Sequence, residues 1–242
     1  PLAPPPPLAL ASARVPAQGR GRRRVRAAAV TAAVVMAGAG AAVASQALRG
    51  GGPPPAWLTA FNGYGSTSVT GSGAALAVSV APERAATAST SHAALVFTAR
   101  TYGDVALTLR LRTGQQLRTG PAGHPKPWEV AWVLWHYTSD DRFYALTLEP
   151  TGWELSKQDP SYPGGERFLA SGLVPRFPAG SSYAVGVVQV GDQITVSADG
   201  RLLARYTDHS DPYLGGAVGL YAEDAQATFD HIAIASLATG GK

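Results

Sequence analysis

The stretch VGVVQVGDQITVSADGRLLARYT, residues 185 to 207, holds three apolar runs joined by Gly191-Asp192 and Asp199-Gly200. Asp-Gly between alternating runs is a strong hairpin signal, because the tight turn needs residues that tolerate positive φ. The pattern continues along the chain. Residues 75–80, 94–100, 104–113, 128–137, 142–149, 183–190, 193–199, 201–207, 217–223 and 227–235 each read as a strand, separated by turn residues such as Thr138-Ser139-Asp140-Asp141. No segment carries a convincing helical period. The expected fold is all-β, an antiparallel β-sandwich.

Charge divides the chain unevenly. Arg14, Arg20, Arg22, Arg23, Arg24 and Arg26 are six of twenty basic residues, whereas all sixteen acidic residues lie at or beyond Glu83. Past those arginines the balance is fourteen basic against sixteen acidic residues, or −2. The basic excess therefore belongs to the leading segment, and nucleic acid is not an expected partner of the folded part. RGRRRVR (20–26), AAAVTAAVVMAGAGAAVA (27–44) and the small residues at 42–47 follow one another as the charged, apolar and cleavage regions of an export signal do. Residues 1–47 are thus expected to be a signal peptide, or alternatively an uncleaved N-terminal anchor on the outer face of the cytoplasmic membrane, behind a proline-rich extension. Residues 48–56 read as a Gly/Pro linker, 57–237 as the domain and 238–242 as a flexible tail. With no cysteine, disulfides and thiolate metal sites are excluded. The remaining metal chemistry is limited further, because His92, His124, His209 and His231 lack metal-ligand spacing.

Alternation assigns faces. In DVALTLRLRT, Val105, Leu107, Leu109 and Leu111 share one face and Ala106, Thr108, Arg110 and Arg112 the other. In the aromatic run, Trp132 and His136 fall on one face with Trp135 and Tyr137 opposite, and periodicity does not say which pair points outward. Tyr144, Leu146 and Leu148 oppose Phe143, Ala145, Thr147 and Glu149. GWELSKQDPSYPGG is read as a rim loop, with Glu154, Lys157 and Asp159 spaced as a surface salt bridge allows.

The run WEVAWVLWHYTSDDRFYALTLEPTGWELSKQDPSYPGGERFLASG, then FPAGSSYAVGVVQVGDQITVSADGRLLARYTD and PYLGGAVGLYAEDAQATFDHIAI, resembles a bacterial secreted family with a concanavalin A-like jelly roll. Laminin G modules and family 16 glycoside hydrolases are its distant structural relatives, and the resemblance spans about residues 57–237. It implies the fold strongly and a chemistry weakly, since the superfold hosts lectins, lyases and hydrolases alike. In sandwich modules of this kind a terminal Phe-Asp often supplies a carboxylate to a structural Ca²⁺. The resemblance therefore implies a metal role for Asp230, the alternative being an Asp bonded by backbone amides.

Three functional readings remain open: a carbohydrate-binding module, a polysaccharide-degrading enzyme (hydrolase or lyase) and a structural module. A secreted carbohydrate-binding module would take extracellular polysaccharide or another glycan on Arg110, Arg112, Trp132, Tyr144, Trp153 and Gln189, rings stacking on sugar faces and polar groups bonding hydroxyls. A glycoside hydrolase would need paired carboxylates, for which Glu149 and Glu154 flank a turn, although the Glu-x-Asp-x-(x)-Glu strand of the family 16 enzymes is absent. A lyase would use Arg110 and Arg112 on a uronate, with His136, Tyr137 or Tyr144 moving the proton. A structural cell-envelope module is the third reading.

Overall fold

The computed structural model describes residues 55–237. The segments read as signal, extension, most of the linker and tail lie outside the described residues. Within them, two seven-stranded sheets face each other, every ladder antiparallel. The first sheet runs, edge to edge, through β1 (Trp57–Phe61), β4 (Ala93–Tyr102), β13 (Gly216–Glu223), β6 (Ala131–Ser139), β7 (Arg142–Glu149), β8 (Gly152–Gln158) and β9 (Glu166–Gly172). The second runs through β12 (Arg201–Thr207), β11 (Gln193–Ala198), β10 (Ser182–Val190), β5 (Val105–Gln116), β14 (Ala225–Ser236), β3 (Ala77–Ala81) and β2 (Ser66–Thr70). The all-β antiparallel sandwich expected from the turn pattern is what forms. The last two strands, β13 and β14, enter the middle of opposite sheets, and the chain changes sheet at Asp224, whose φ is 42°.

Side-chain period builds the core. Val105, Leu107, Leu109 and Leu111 of β5 point inward against Val185 and Val187 of β10, Phe229 of β14 and, from the facing sheet, Val133, Trp135, Tyr144, Leu146 and Leu220. Burial of each such side chain contributes roughly 1.5–3 kcal/mol. A smaller apolar cluster lies on the outer side of the first sheet, where Leu95, Trp132, Leu134, Phe143, Ala145 and Tyr221 pack together. Four strands go beyond the sequence pattern. β1 and β2 are short, and β8 and β9 carry Glu154, Lys157, Glu166 and Arg167 among their apolar residues. The expected rim loop is correspondingly smaller: Gly152–Gln158 is a strand, and the loop proper is residues 159–165.

Candidate functional site

The outward residues of the second sheet form a groove of about 330 Å³ over β5, β10, β11 and β14. Alternation in β5, which buries the leucines, turns Thr108, Arg110 and Arg112 to this face. Register completes it: Thr108 lies opposite Gly186, Gly186 opposite Ser197, and Arg110 sits between Ala184 and Asp230. The floor is thus made of small residues. At Gly186 a Cβ would come 2.7 Å from the Ser197 hydroxyl, so glycine keeps the floor low there. One wall comes from His231, which also lines the groove.

His231 reaches that position through a bulge. The β14–β5 register shifts between Asp230 and Ala233, and His231 has φ 51°. Bulges insert a residue and re-aim a side chain. The Asp230 carboxylate bonds His231 Nδ1 and so orients the ring. The Arg112 Nε donates to the Gly180 carbonyl at 2.9 Å. The groove therefore presents guanidinium, imidazole and hydroxyl groups over a low floor, and no phenylalanine, tyrosine or tryptophan lines it. Ser197, on β11, is three strands from β14, about 14 Å at the usual strand spacing, so His231 cannot activate it as a nucleophile.

Of the sequence-predicted sugar-binding residues, the structure brings Arg110 and Arg112 to this groove or its margin and places the others elsewhere. Trp132 is on the outer face of the first sheet, 3% exposed, with Nε1 donating to the Trp128 carbonyl at 2.8 Å. Tyr144 is fully buried between the sheets, its hydroxyl donating to Asp208 Oδ2 at 2.6 Å and accepting from the Tyr213 amide. Burial, and then the Asp208 carboxylate, push its phenol far above the ordinary range. Gln189 is also fully buried: it accepts from Trp135 Nε1 at 2.7 Å and donates to the carbonyls of Gly191 and Tyr213. Trp153 packs in the core edge against Gly172, its Nε1 donating to the Val174 carbonyl. These rings and amides serve packing, because each polar atom is bonded inside the protein.

The catalytic candidates are likewise separated. His136 is buried, with φ 51°, and its two ring nitrogens face the carbonyls of Tyr213 at 2.6 Å and Gly103 at 2.9 Å. Burial lowers its pKa, with the two carbonyls and Asp104 opposing that shift. The irregular register at this point also changes the faces after Trp135: Trp132 shares the outer apolar cluster with Tyr137, not with His136. Glu149 and Glu154 do share a face, the outer side of the first sheet. Glu154 lies opposite Thr147 and Glu149 opposite Gly152, so the two are diagonal neighbours, a relation that spans about 7–8 Å between strands. Glu149 is buried and accepts from the hydroxyls of Thr147 and Thr151.

Two charged clusters went unread in the sequence. Lys157 lies between the sheets and donates to Asp208 Oδ2 at 2.8 Å and to the carbonyls of Ser210 and Asp211 at 2.8 and 2.6 Å. It is not a surface ion pair with Glu154 or Asp159. Burial alone would raise the Asp208 carboxyl, but hydrogen bonds from Lys157, Tyr144 and the Ser210 amide outweigh it and hold the group below its ordinary range. At the other end, Arg118 donates to Glu129, to Asp224 at 2.7 Å and to Ser91 at 2.8 Å, tying together three loops. Beside it, Glu223 accepts from the Tyr221 hydroxyl and is pushed up to about 7 by burial, then by the charges of Asp224 and Glu129.

A Ca²⁺ role for Asp230 would need further oxygens besides its own carboxylate. Arg110 is its ladder neighbour and the His231 imidazole its hydrogen-bond partner. Among the described residues no group of three or more His, Asp or Glu side chains converges to hold a metal ion.

His231 is the groove residue that sequence reasoning set aside. Its signal was present in FDHIAI: Phe229 and Ile232 both pack on the core, and their spacing of three breaks the strand period of two.

No family model matches the chain, and no curated protein matches its sequence. Among solved structures, it is similar to carbohydrate-binding module CBM66 from Bacillus subtilis, with a TM-score of 0.53 at 13% identity over 74% of this chain and 95% of that one. A protein of unknown function with a galectin-like fold from Bacillus subtilis gives 0.49 at 13% identity over 74% and 89% of the two chains. Bacillus licheniformis beta-glucanase gives 0.46 at 12% identity over 74% and 91%. The first likeness establishes the jelly-roll fold.

Proposed function

We propose that the chain is a secreted carbohydrate-binding jelly-roll module that receives a glycan in the groove over β5, β10, β11 and β14. The observation that carries this reading is the groove itself, with Arg110, His231, Thr108 and Ser197 around a floor of Ala184 and Gly186. Sugar hydroxyls need convergent donors and acceptors close to the backbone, and a glycine floor lets a ring approach it. The likeness to a module named for carbohydrate binding supports the reading, as does the export-signal pattern of residues 20–47.

The test is a glycan array followed by calorimetry, comparing the protein with Ala184→Phe. Ala184 is exposed, so the substitution fills the groove and is expected to leave stability within about 0.5 kcal/mol. Loss of binding in a folded variant supports the site; undiminished binding removes it. A second reading is favoured by the diagonal placement of Glu149 and Glu154, which suits a pair of carboxyls acting on a glycosidic bond. Release of reducing ends by the protein and not by Glu149→Gln or Glu154→Gln would turn the assignment towards a hydrolase.

A further inference from the structure

We infer that the groove selects glycans bearing an acidic group, a uronate carboxylate or a sulfate ester, an inference that rests on the carbohydrate-binding reading above. Three observations carry it. The first is local charge. Beyond the leading arginines the chain is net acidic, at −2, yet the outer face of the second sheet concentrates cations. Arg110 and Arg112 both project from β5 and are exposed. Arg205 of β12 pairs with Thr195, which alternates outward from the buried Ile194 and Val196. Two acids accompany the three arginines: Asp230, bonded to His231, and Asp199, which accepts from the Ala184 amide at 2.8 Å.

The second observation is geometric. Residues two apart on a strand lie about 7 Å from each other on one face, so Arg110 and Arg112 form a short cationic row along the groove margin. Arg112 is oriented by its Nε bond to Gly180. The guanidinium fork matches two oxygens of a carboxylate or sulfate at once, and these charge-assisted pairs are stronger than hydroxyl contacts. The bulge at Asp230 and Ala233 brings the His231 ring into the same space, with Nδ1 bonded to Asp230.

The third is what the groove lacks. No phenylalanine, tyrosine or tryptophan lines it, so the broad stacking platform that commonly holds neutral sugar faces is not provided there. Discrimination then falls to charge and hydrogen bonds.

The full chain is titrated with polygalacturonate, dextran sulfate, neutral dextran, neutral galactan and a DNA duplex, in low salt and in 0.5 M NaCl. Polygalacturonate or dextran sulfate, whichever carries the preferred acid, is expected to bind at least tenfold more tightly than the neutral polymers, and to weaken with salt. Arg110→Gln and Arg112→Gln should each lose tenfold or more of that binding at unchanged melting temperature, while Arg176→Gln, an exposed arginine elsewhere, should lose none. Neutral polymers bound as tightly as acidic ones overturn the inference and leave carbohydrate binding standing. DNA bound as well as the acidic glycans, or equal losses with Arg176→Gln, reduces it to nonspecific polyanion attraction and overturns it. If none of the polymers binds, the carbohydrate reading fails and takes this inference with it.

Discussion

Replacing Lys157 by Met tests whether the polar knot between the sheets is structural. Both Lys157 and Asp208 have fully buried side chains, 2.8 Å apart, and Lys157 Nζ also lies 4.2 Å from the centre of the Tyr213 ring. The substitution keeps much of the length and apolar volume, so little cavity forms. It strips Asp208 of its charged partner, leaving the Tyr144 hydroxyl and the Ser210 amide as donors, and removes the donor to the carbonyls of Ser210 and Asp211. Breaking one side of a buried pair costs about 3–5 kcal/mol, because the remaining charge stays out of water. For a domain of this size each kcal/mol moves the melting temperature by about 2–4 °C, so the expected fall is on the order of 10 °C. Thermal melts followed by circular dichroism measure that fall, and urea unfolding measures the free-energy loss. Asp208→Asn in the Lys157→Met background should recover part of the loss, since neither buried charge then remains. Acid provides a second arm. The Asp208 carboxyl is held below its ordinary range when folded, so its stabilisation is present above the unfolded-state value and is lost as pH falls through the folded one. That acid-dependent component should vanish in Asp208→Asn. A loss below about 1 kcal/mol in Lys157→Met, the scale of an exposed pair, would refute the reasoning.

Glu223 titrates in the opposite sense: its folded pKa is raised to about 7, so the native state holds a proton that the unfolded chain releases near 4.5. Stability should fall as pH rises between those values, by up to roughly 3 kcal/mol, and Glu223→Gln should flatten that slope in melting curves taken from pH 4.5 to 8. The Ca²⁺ role expected of Asp230 is tested by melting curves in chelator and in excess Ca²⁺: a Ca²⁺-dependent rise abolished by Asp230→Ala would support it, and superimposed curves would remove the metal. Mass spectrometry of a culture supernatant should find a mature N-terminus close to Ser45 or Leu48, and an intact chain confined to the cytoplasm would end the extracellular reading.

Local signals and long-range partners explain what was legible. The alternation of β5 assigned every residue from Val105 to Arg112 to its correct face, and the Gly191-Asp192 and Asp199-Gly200 turns set the β10–β11–β12 meander, because both are read within a few residues. β8 was missed as a strand because its inward face includes Lys157, and a buried lysine looks like loop chemistry until Asp208, fifty-one residues away, is known. The same holds for Tyr144 and Gln189. Their aromatic and amide groups suit sugar binding as well as packing, and only the partners, Asp208 and Trp135, sixty-four and fifty-four residues distant, decide between them. Faces failed where the period failed. The irregularity at His136 and the bulge at His231 both carry positive φ, and each shifts everything beyond it to the other side of the sheet.

The groove and the core are consequently one construction. A one-residue slip of β5 would turn Arg110 and Arg112 inward and expose Leu109 and Leu111, because the side-chain period is two. The register that prevents this is set on both sides, by β10 from Ser182 to Gln189 and by β14 from Ala225 to Ser236. Burial of the leucines makes the slip costly, at roughly 1.5–3 kcal/mol for each side chain exposed. Near the groove the register shifts on β14, and again between β11 and β12 at Val196 and Ser197, and the β14 bulge spends its extra residue on His231. The strand that carries the arginines can therefore stay regular while its neighbour supplies the irregular wall, which gives a binding surface to a face that the sheet alone would leave flat.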